Sequence, residues 1–211
     1  MSGSGLPEGV QRRSIGGETG LATRGDPVYG EPTDGDWRRW ESRRSKLGSM
    51  LDRGLDTGIL GGETVLYLGA ASGTTVSHVA DFAGPTYAVE FAPRPMRDLL
   101  GVAEDRSRLF PLLADARRPE QYAHVVEPVD LLVQDVATRG QARVALANRI
   151  FLRDSGRLVL AVKARSEDVT RDPSAVFEAV LAELESGYEL LVTERLDPTH
   201  TDHLGVVARP R

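Results

Sequence analysis

From residue 64 onward the apolar positions fall into short continuous runs separated by helix-length segments of mixed polarity. The runs are TVLYLGA (64–70), TYAVEF (86–91), RLFPLLA (108–114), VDLLVQDVA (129–137) and RLVLAVKA (157–164). A short apolar run bounded by turn residues is what a strand buried on both faces looks like. Between the runs lie TTVSHVADFA, PRPMRDLLGVAEDR, EQYAHVV and QARVALANRIFLR, and SAVFEAVLAELES follows the fifth. Alternation of this kind predicts a doubly wound α/β sheet with five parallel strands. The final stretch, YELLVTERLDPTHTDHLGVVARP, has two extended runs around a polar turn, so an antiparallel hairpin is expected to close one edge of the sheet.

Upstream the pattern is different. Trp37, Trp40, Leu47, Leu51 and Leu55 recur at spacings of three, seven, four and four, which predicts one stripe of an amphipathic helix with Lys46 beside it. Before residue 35 the chain is rich in Gly, Ser, Thr, Pro and Glu, and the fragments GVQRRSI and GLATRG are expected to pair as small strands. The first five residues are expected to be disordered.

Composition narrows the chemistry. With no cysteine among 211 residues, there is no disulfide framework, thiolate metal site or cysteine nucleophile. No apolar run approaches the roughly 18 residues needed to span a bilayer, and the opening MSGSGLPEGV has neither a basic nor an apolar leader region, so a cytoplasmic protein is expected. The net charge of -5 argues against a protein that captures nucleic acid alone. If RNA is the substrate, a partner delivers it. Of 26 basic residues only Lys46 and Lys163 are lysines. Arg and Lys are interchangeable on a surface but not in a site, because only lysine readily gives up its proton. A GC-rich genome or a high-salt cytoplasm would also deplete lysine, so position must decide whether the two survivors are functional.

In a doubly wound sheet, ligands lie beyond the carboxyl ends of the strands, near the point where strand order reverses. The first run ends in Gly69-Ala70-Ala71-Ser72-Gly73-Thr74-Thr75, a loop of small residues that lets a ligand approach the backbone. It lacks the G-x-G-x-x-G of dinucleotide binders and the G-K-[ST] of a P-loop. Glu90 ends the second run, 21 positions after Gly69, where a carboxylate can accept from both ribose hydroxyls of an adenosine. Phe91 follows as a ring that can pack on a base, although core packing is equally plausible. Asp115 and Ala116 end the third run, where a carboxylate can accept from an adenine amino group. Asp135 ends the fourth run and the fifth carries Lys163, so an Asp and one of the two lysines emerge at adjacent strand ends.

Methyl transfer from a sulfonium to a hydroxyl requires an oriented nucleophile and a group to take its proton, with no metal or covalent intermediate. Lys163 fits as that base, positioned by Asp135. A lysine acts so near neutral pH only where burial or neighbouring positive charge favours its neutral form, and Lys46, if brought near, supplies charge. A stabilising Asp-Lys ion pair at the sheet edge is the plainer reading. Among the four histidines, His78, His124, His200 and His203, no metal-ligand spacing occurs, and no metal is expected. The tail turn, DPTHTDH, makes His203 or Asp202 a possible fourth site group.

The string VLYLGAASGTTVSHVADFAG resembles the cofactor-binding motif of the fibrillarin family almost residue for residue. The resemblance continues through YAVEFAPRPMRDLL, LADARRPEQY, VDLLVQDVA, FLRDSGRLVLAVKARSEDVT and LDPTHTDH and begins at RRSKL, so it covers nearly everything from Trp37 onward. It implies a Rossmann-like class I methyltransferase domain over residues 41–211 that uses S-adenosylmethionine, behind a small N-terminal β-rich domain over 6–40, of the archaeal form. It also implies methylation of ribose 2′-hydroxyls in rRNA and tRNA by a Lys-Asp-Lys-His set, which the motifs place on Lys46, Asp135, Lys163 and His203. The implied partners are a box C/D guide RNA paired with the target RNA, a Nop-domain scaffold protein and a kink-turn-binding subunit resembling a ribosomal protein. Two departures stand out. TRG follows QDVA where the family usually has Gln-Pro, and DPTHTDH lacks the usual Tyr-Glu pair, so the fourth group's role stays open. Three rivals remain: a dehydrogenase, which the missing G-x-G-x-x-G disfavours, a cofactor-holding scaffold without essential catalysis, and a small-molecule methyltransferase.

Overall fold

A small antiparallel sheet comes first in the structure, a computed structural model that describes residues 5–211. Strands β1 (Val10–Ile15) and β2 (Glu18–Arg24) pair antiparallel, as GVQRRSI and GLATRG suggested. With β3 (Thr33–Asp34) and β4 (Trp37–Trp40) they form a four-stranded sheet in the order β1-β2-β4-β3. The expected disorder at residues 1–5 lies, except for Gly5, outside the described residues.

The helix expected over 37–55 is not continuous. Trp37 to Trp40 is strand β4, a 3-10 turn follows at Ser42–Arg44, and only α1 (Lys46–Asp52) is α-helical. Both tryptophans are buried because β4 is covered on both faces: Trp37 packs with Ile15 and Ala22, whereas Trp40 joins the main core beside Leu21. Between them Arg38 is fully buried against Asp81 at 2.8 Å. Two tryptophans three apart in a strand buried on both faces mimic one helical stripe. Ser45 starts α1, its hydroxyl accepting from the Gly48 amide at 3.0 Å.

The principal sheet has seven strands. In chain order its elements are β5 (Val65–Leu68), α2 (Val76–Phe82), β6 (Thr86–Glu90), α3 (Pro93–Glu104), β7 (Leu109–Leu113), β8 (Val129–Gln134), α4 (Gln141–Asn148), β9 (Leu152–Lys163), α5 (Ala164–Glu167), α6 (Pro173–Leu184), β10 (Tyr188–Arg195) and β11 (His203–Pro210). Strand order is β10-β11-β9-β8-β5-β6-β7. β7, β6, β5, β8 and β9 run parallel, and β11 and β10 close the β9 edge as the expected antiparallel hairpin. This is a Rossmann-like sheet whose order reverses at β5. Alternate residues of each strand serve the two faces: Leu66, Leu68, Leu132 and Leu160 pack with residues of α4 and α6, while Val65, Tyr67, Val133 and Ala161 pack with residues of α1, α2 and α3.

Two helical expectations fall short. EQYAHVV contributes only to a 3-10 turn at Pro119–Gln121, after which Tyr122 and Val126 turn into the core; Pro128 disfavours a helical conformation at Glu127. QARVALANRIFLR stops as an α-helix at Asn148, continues as a 3-10 turn over Arg149–Phe151, and enters β9 at Leu152. No helix among the described residues is long and apolar enough to cross a membrane.

Candidate active site

The carboxyl ends of β5 to β9 open on one cavity of about 280 Å³. Gly69, Ala71, Glu90, Phe91, Asp115, Ala116, Asp135 and Lys163 line it, five strand ends converging where order reverses. Ala70, Gly73, Thr74 and Thr75, also expected at the cofactor, do not line it; they form the loop behind. Gly69 has φ +84°, and a Cβ there would lie 2.7 Å from the Asp135 carbonyl oxygen, so only glycine lets the β5 loop pass this close to the end of β8. Glu90 fixes the loop in turn. Its two carboxylate oxygens accept from the Ala71 amide at 2.9 Å and the Ala92 amide at 2.8 Å. A carboxylate has about four lone-pair sites, so acceptor capacity remains for a ligand. Phe91 is 70 % exposed, which sets aside the core-packing reading and leaves an apolar ring at the cavity.

Asp115 is held by a residue that strand-end reasoning missed. Arg117 donates to its carboxylate through Nε at 2.9 Å and Nη2 at 2.6 Å, which keeps the Asp115 carboxyl below the ordinary carboxylate range. Val136, Ala137 and Thr138 after β8 and Val144 on α4 also line the cavity. Their signal in the sequence was only position: each follows, or packs beneath, a strand end that the pattern had marked.

Both lysines meet at Asp135. Lys163 Nζ lies 2.8 Å from Asp135 Oδ1 and donates to its carbonyl oxygen at 3.1 Å, and Lys46 Nζ lies 3.5 Å from Oδ2. None of the three side chains is more than 24 % exposed. α1 brings Lys46, β8 brings Asp135 and β9 brings Lys163, so three elements distant in sequence converge. Tyr67 sits beneath them in β5, fully buried; burial first, and then the Asp135 charge, push its hydroxyl well above its ordinary value, so it stays neutral.

Of the two tail-turn candidates, His203 and not Asp202 lies opposite Lys163. His203 pairs directly with Lys163 across β11 and β9, and its Nδ1 lies 2.7 Å from the Thr201 carbonyl oxygen. Burial is the largest influence on its pKa; the Thr201 carbonyl opposes it, and the charges of Lys46 and Lys163 add to it, so the His203 pKa lies below the ordinary histidine value. Asp202 instead accepts from Arg165 at 2.8 Å and adopts φ +58° within the turn. His78 is buried in α2, and among the described residues no cluster of three metal-ligating side chains occurs.

The fibrillarin family model matches residues 12–211. The fibrillarin-like rRNA/tRNA 2′-O-methyltransferase of Haloarcula marismortui is 74 % identical over 206 residues, covering 98 % of each chain. A solved fibrillarin from a fibrillarin/Nop5p complex superposes with TM-score 0.90 at 39 % identity, covering 98 % of this chain and 99 % of that one. Aeropyrum pernix fibrillarin, solved with natively bound S-adenosyl-L-methionine, superposes with TM-score 0.83 at 44 % identity, covering 95 % and 94 %.

Proposed function

This chain belongs to the fibrillarin family, and we infer that it is an S-adenosylmethionine-dependent methyltransferase acting on ribose 2′-hydroxyls of rRNA and tRNA. The observation that carries the chemistry is the meeting of the chain's only two lysines on one carboxylate at the rim of the cavity. An ion pair kept only for stability does not call for that, since partly buried charges repay little of their desolvation.

The cavity suits the cofactor on its own geometry. The Gly69 cradle admits close approach, the Glu90 carboxylate can accept from ribose hydroxyls, Phe91 offers a ring face, and Asp115 with Ala116 flanks the place for an adenine edge. Bound there, S-adenosylmethionine supplies an electrophilic methyl group carried on a sulfonium. Lys163 Nζ accepts the proton of the 2′-hydroxyl as that oxygen attacks, and Asp135 orients the amine through the 2.8 Å contact. Lys46 Nζ lies against the other oxygen of the same carboxylate, so Asp135 holds both amines at the site. His203, paired with Lys163 in the β9–β11 ladder, completes the set as its fourth group. No metal is required for this displacement.

The chain carries a formal charge of -5, which leaves RNA capture to partners. We place it in the cytoplasm in a box C/D particle, with a guide RNA choosing the nucleotide, a Nop-domain scaffold docking the enzyme and a kink-turn-binding subunit holding the guide. The Nop5p complex of a 39 % identical fibrillarin supports the scaffold's part in this reading. Reconstitution with these partners and labelled S-adenosylmethionine tests it. Label is expected on a guide-paired target and absent from the same target carrying one 2′-deoxyribose at the paired position. Label on the deoxy target, or cofactor binding with no transfer to either, overturns it.

A further inference from the structure

Where β8 ends at Gln134, β9 runs on to Lys163, so the backbone groups of Lys163 that face β8 have no strand beside them. Gln141, the first residue of α4, takes the strand's place. Its carboxamide Nε2 donates to the Lys163 carbonyl oxygen at 3.0 Å, and its Oε1 accepts from the Lys163 amide at 2.9 Å. One fully buried side chain thus pins both polar backbone groups of one residue.

Gln141 is itself held from both strand ends. Its carbonyl oxygen accepts from Gln134 Nε2 at 2.8 Å, and Gln134 immediately precedes Asp135. The amides of Gly140 and Gln141 donate to the two carboxylate oxygens of Glu167 at 2.8 and 2.5 Å, and Glu167 closes α5 directly after Lys163. A continuous hydrogen-bonded path therefore runs from the residue before Asp135, through Gln141, to the backbone of Lys163. Every member is buried or half-buried, and the path bridges the two strand ends beyond the point where the β8–β9 ladder stops.

We propose that Gln141 is a positioning residue that fixes the backbone of Lys163 relative to Asp135 and so aims the Lys163 amine at the incoming hydroxyl. This rests on the reading of Lys163 as the base. Gln141 lines neither the cavity nor any contact with the carboxylate, so it acts only through Lys163.

The test compares Gln141→Ala and Gln141→Glu with wild type in the full chain, assembled with scaffold and guide-paired RNA. Rates are expressed per cofactor-binding site counted by S-adenosylmethionine stoichiometry, so that misfolded protein does not enter. Gln141→Ala lowers kcat about 10- to 100-fold while KM for S-adenosylmethionine stays within about twofold, the pattern of a misaimed group. Gln141→Glu keeps the shape and the acceptor for the Lys163 amide but loses the donor to its carbonyl, and falls between; it decides the matter if the alanine variant does not fold. Wild-type kcat per site in the glutamate variant, or a loss carried in KM, overturns the proposal. A parallel Lys163→Ala arm separates the two readings: if it too keeps the wild-type rate, the base assignment falls and this inference with it, whereas its collapse beside intact Gln141 variants removes this inference alone.

Discussion

Glu90 shows how much one side chain can be asked to do. Its carboxylate caps two backbone amides, those of Ala71 and Ala92, and so holds the loop that follows β5. Glu90→Gln replaces one acceptor oxygen with an NH₂ that faces an amide donor. Charge-assisted bonds of this kind are worth about 1.5–3 kcal/mol, so affinity for S-adenosylmethionine is expected to fall roughly 10- to 100-fold by calorimetric titration. An unchanged affinity would mean the loop holds its form without the carboxylate. The position of Glu90 was legible from its distance to Gly69, and the lysines were legible from their rarity. The double duty of Glu90 was not, because it depends on Ala71 taking φ +48°, a conformation no spacing rule announces. Arg117 was likewise hidden: among 24 arginines nothing in the sequence singles out the one that grips Asp115.

At the scale of elements, the site depends on a clasp between α1 and the tail turn. Arg53, the C-cap of α1, donates to the carbonyl oxygens of Leu196 at 3.0 Å and Asp197 at 2.6 Å, while His200 Nε2 lies 2.8 Å from the Ser42 carbonyl oxygen. These contacts keep the helix bearing Lys46 beside the strand bearing His203. Arg53→Ala is expected to cost about 1–3 kcal/mol, seen as a lower Tm, because it strips donors from partly buried carbonyls. A Tm within one degree of wild type would show the turn to be held otherwise. The parallel strands were readable as unbroken apolar runs because both faces of the sheet are covered. The Trp37–Leu55 stripe misled for a physical reason: Trp37 and Trp40 belong to a strand covered on both faces, and Arg38 between them is fully buried with Asp81 and Glu31 within ion-pair distance.

At the scale of the molecule, the four-stranded sheet is tied to the principal sheet through a buried polar cluster. Asp81 of α2 accepts from Thr23 of β2 at 2.7 Å, from Arg38 of β4 at 2.9 Å and from Arg106 at 3.2 Å. The Thr23 hydroxyl also lies 2.7 Å from His78 Nδ1, and its single proton goes to Asp81, so the neutral ring of His78 donates from Nδ1 while stacking on Trp40 at 5.0 Å. Burial first, and then Arg38 and Arg106, lower the His78 pKa well below the ordinary histidine value. The unfolded chain therefore binds this proton more readily than the folded one. Stability is full above the unfolded histidine value of about 6.5 and falls as pH drops through it, by up to about 1.4 kcal/mol per pH unit for one such group. Thermal melts from pH 8 to pH 5 are expected to show this slope, and His78→Gln to flatten it; equal slopes in both proteins would assign the acid sensitivity elsewhere.

The central claim is that Lys163 takes the proton of a ribose 2′-hydroxyl. Single-turnover transfer of a labelled methyl group to guide-paired RNA, with saturating S-adenosylmethionine and the scaffold partner present, measures it directly when wild type is set against Lys163→Ala. The account predicts a fall of about 10²- to 10⁴-fold in rate with cofactor affinity unchanged to within a few-fold. A wild-type rate from Lys163→Ala would contradict it.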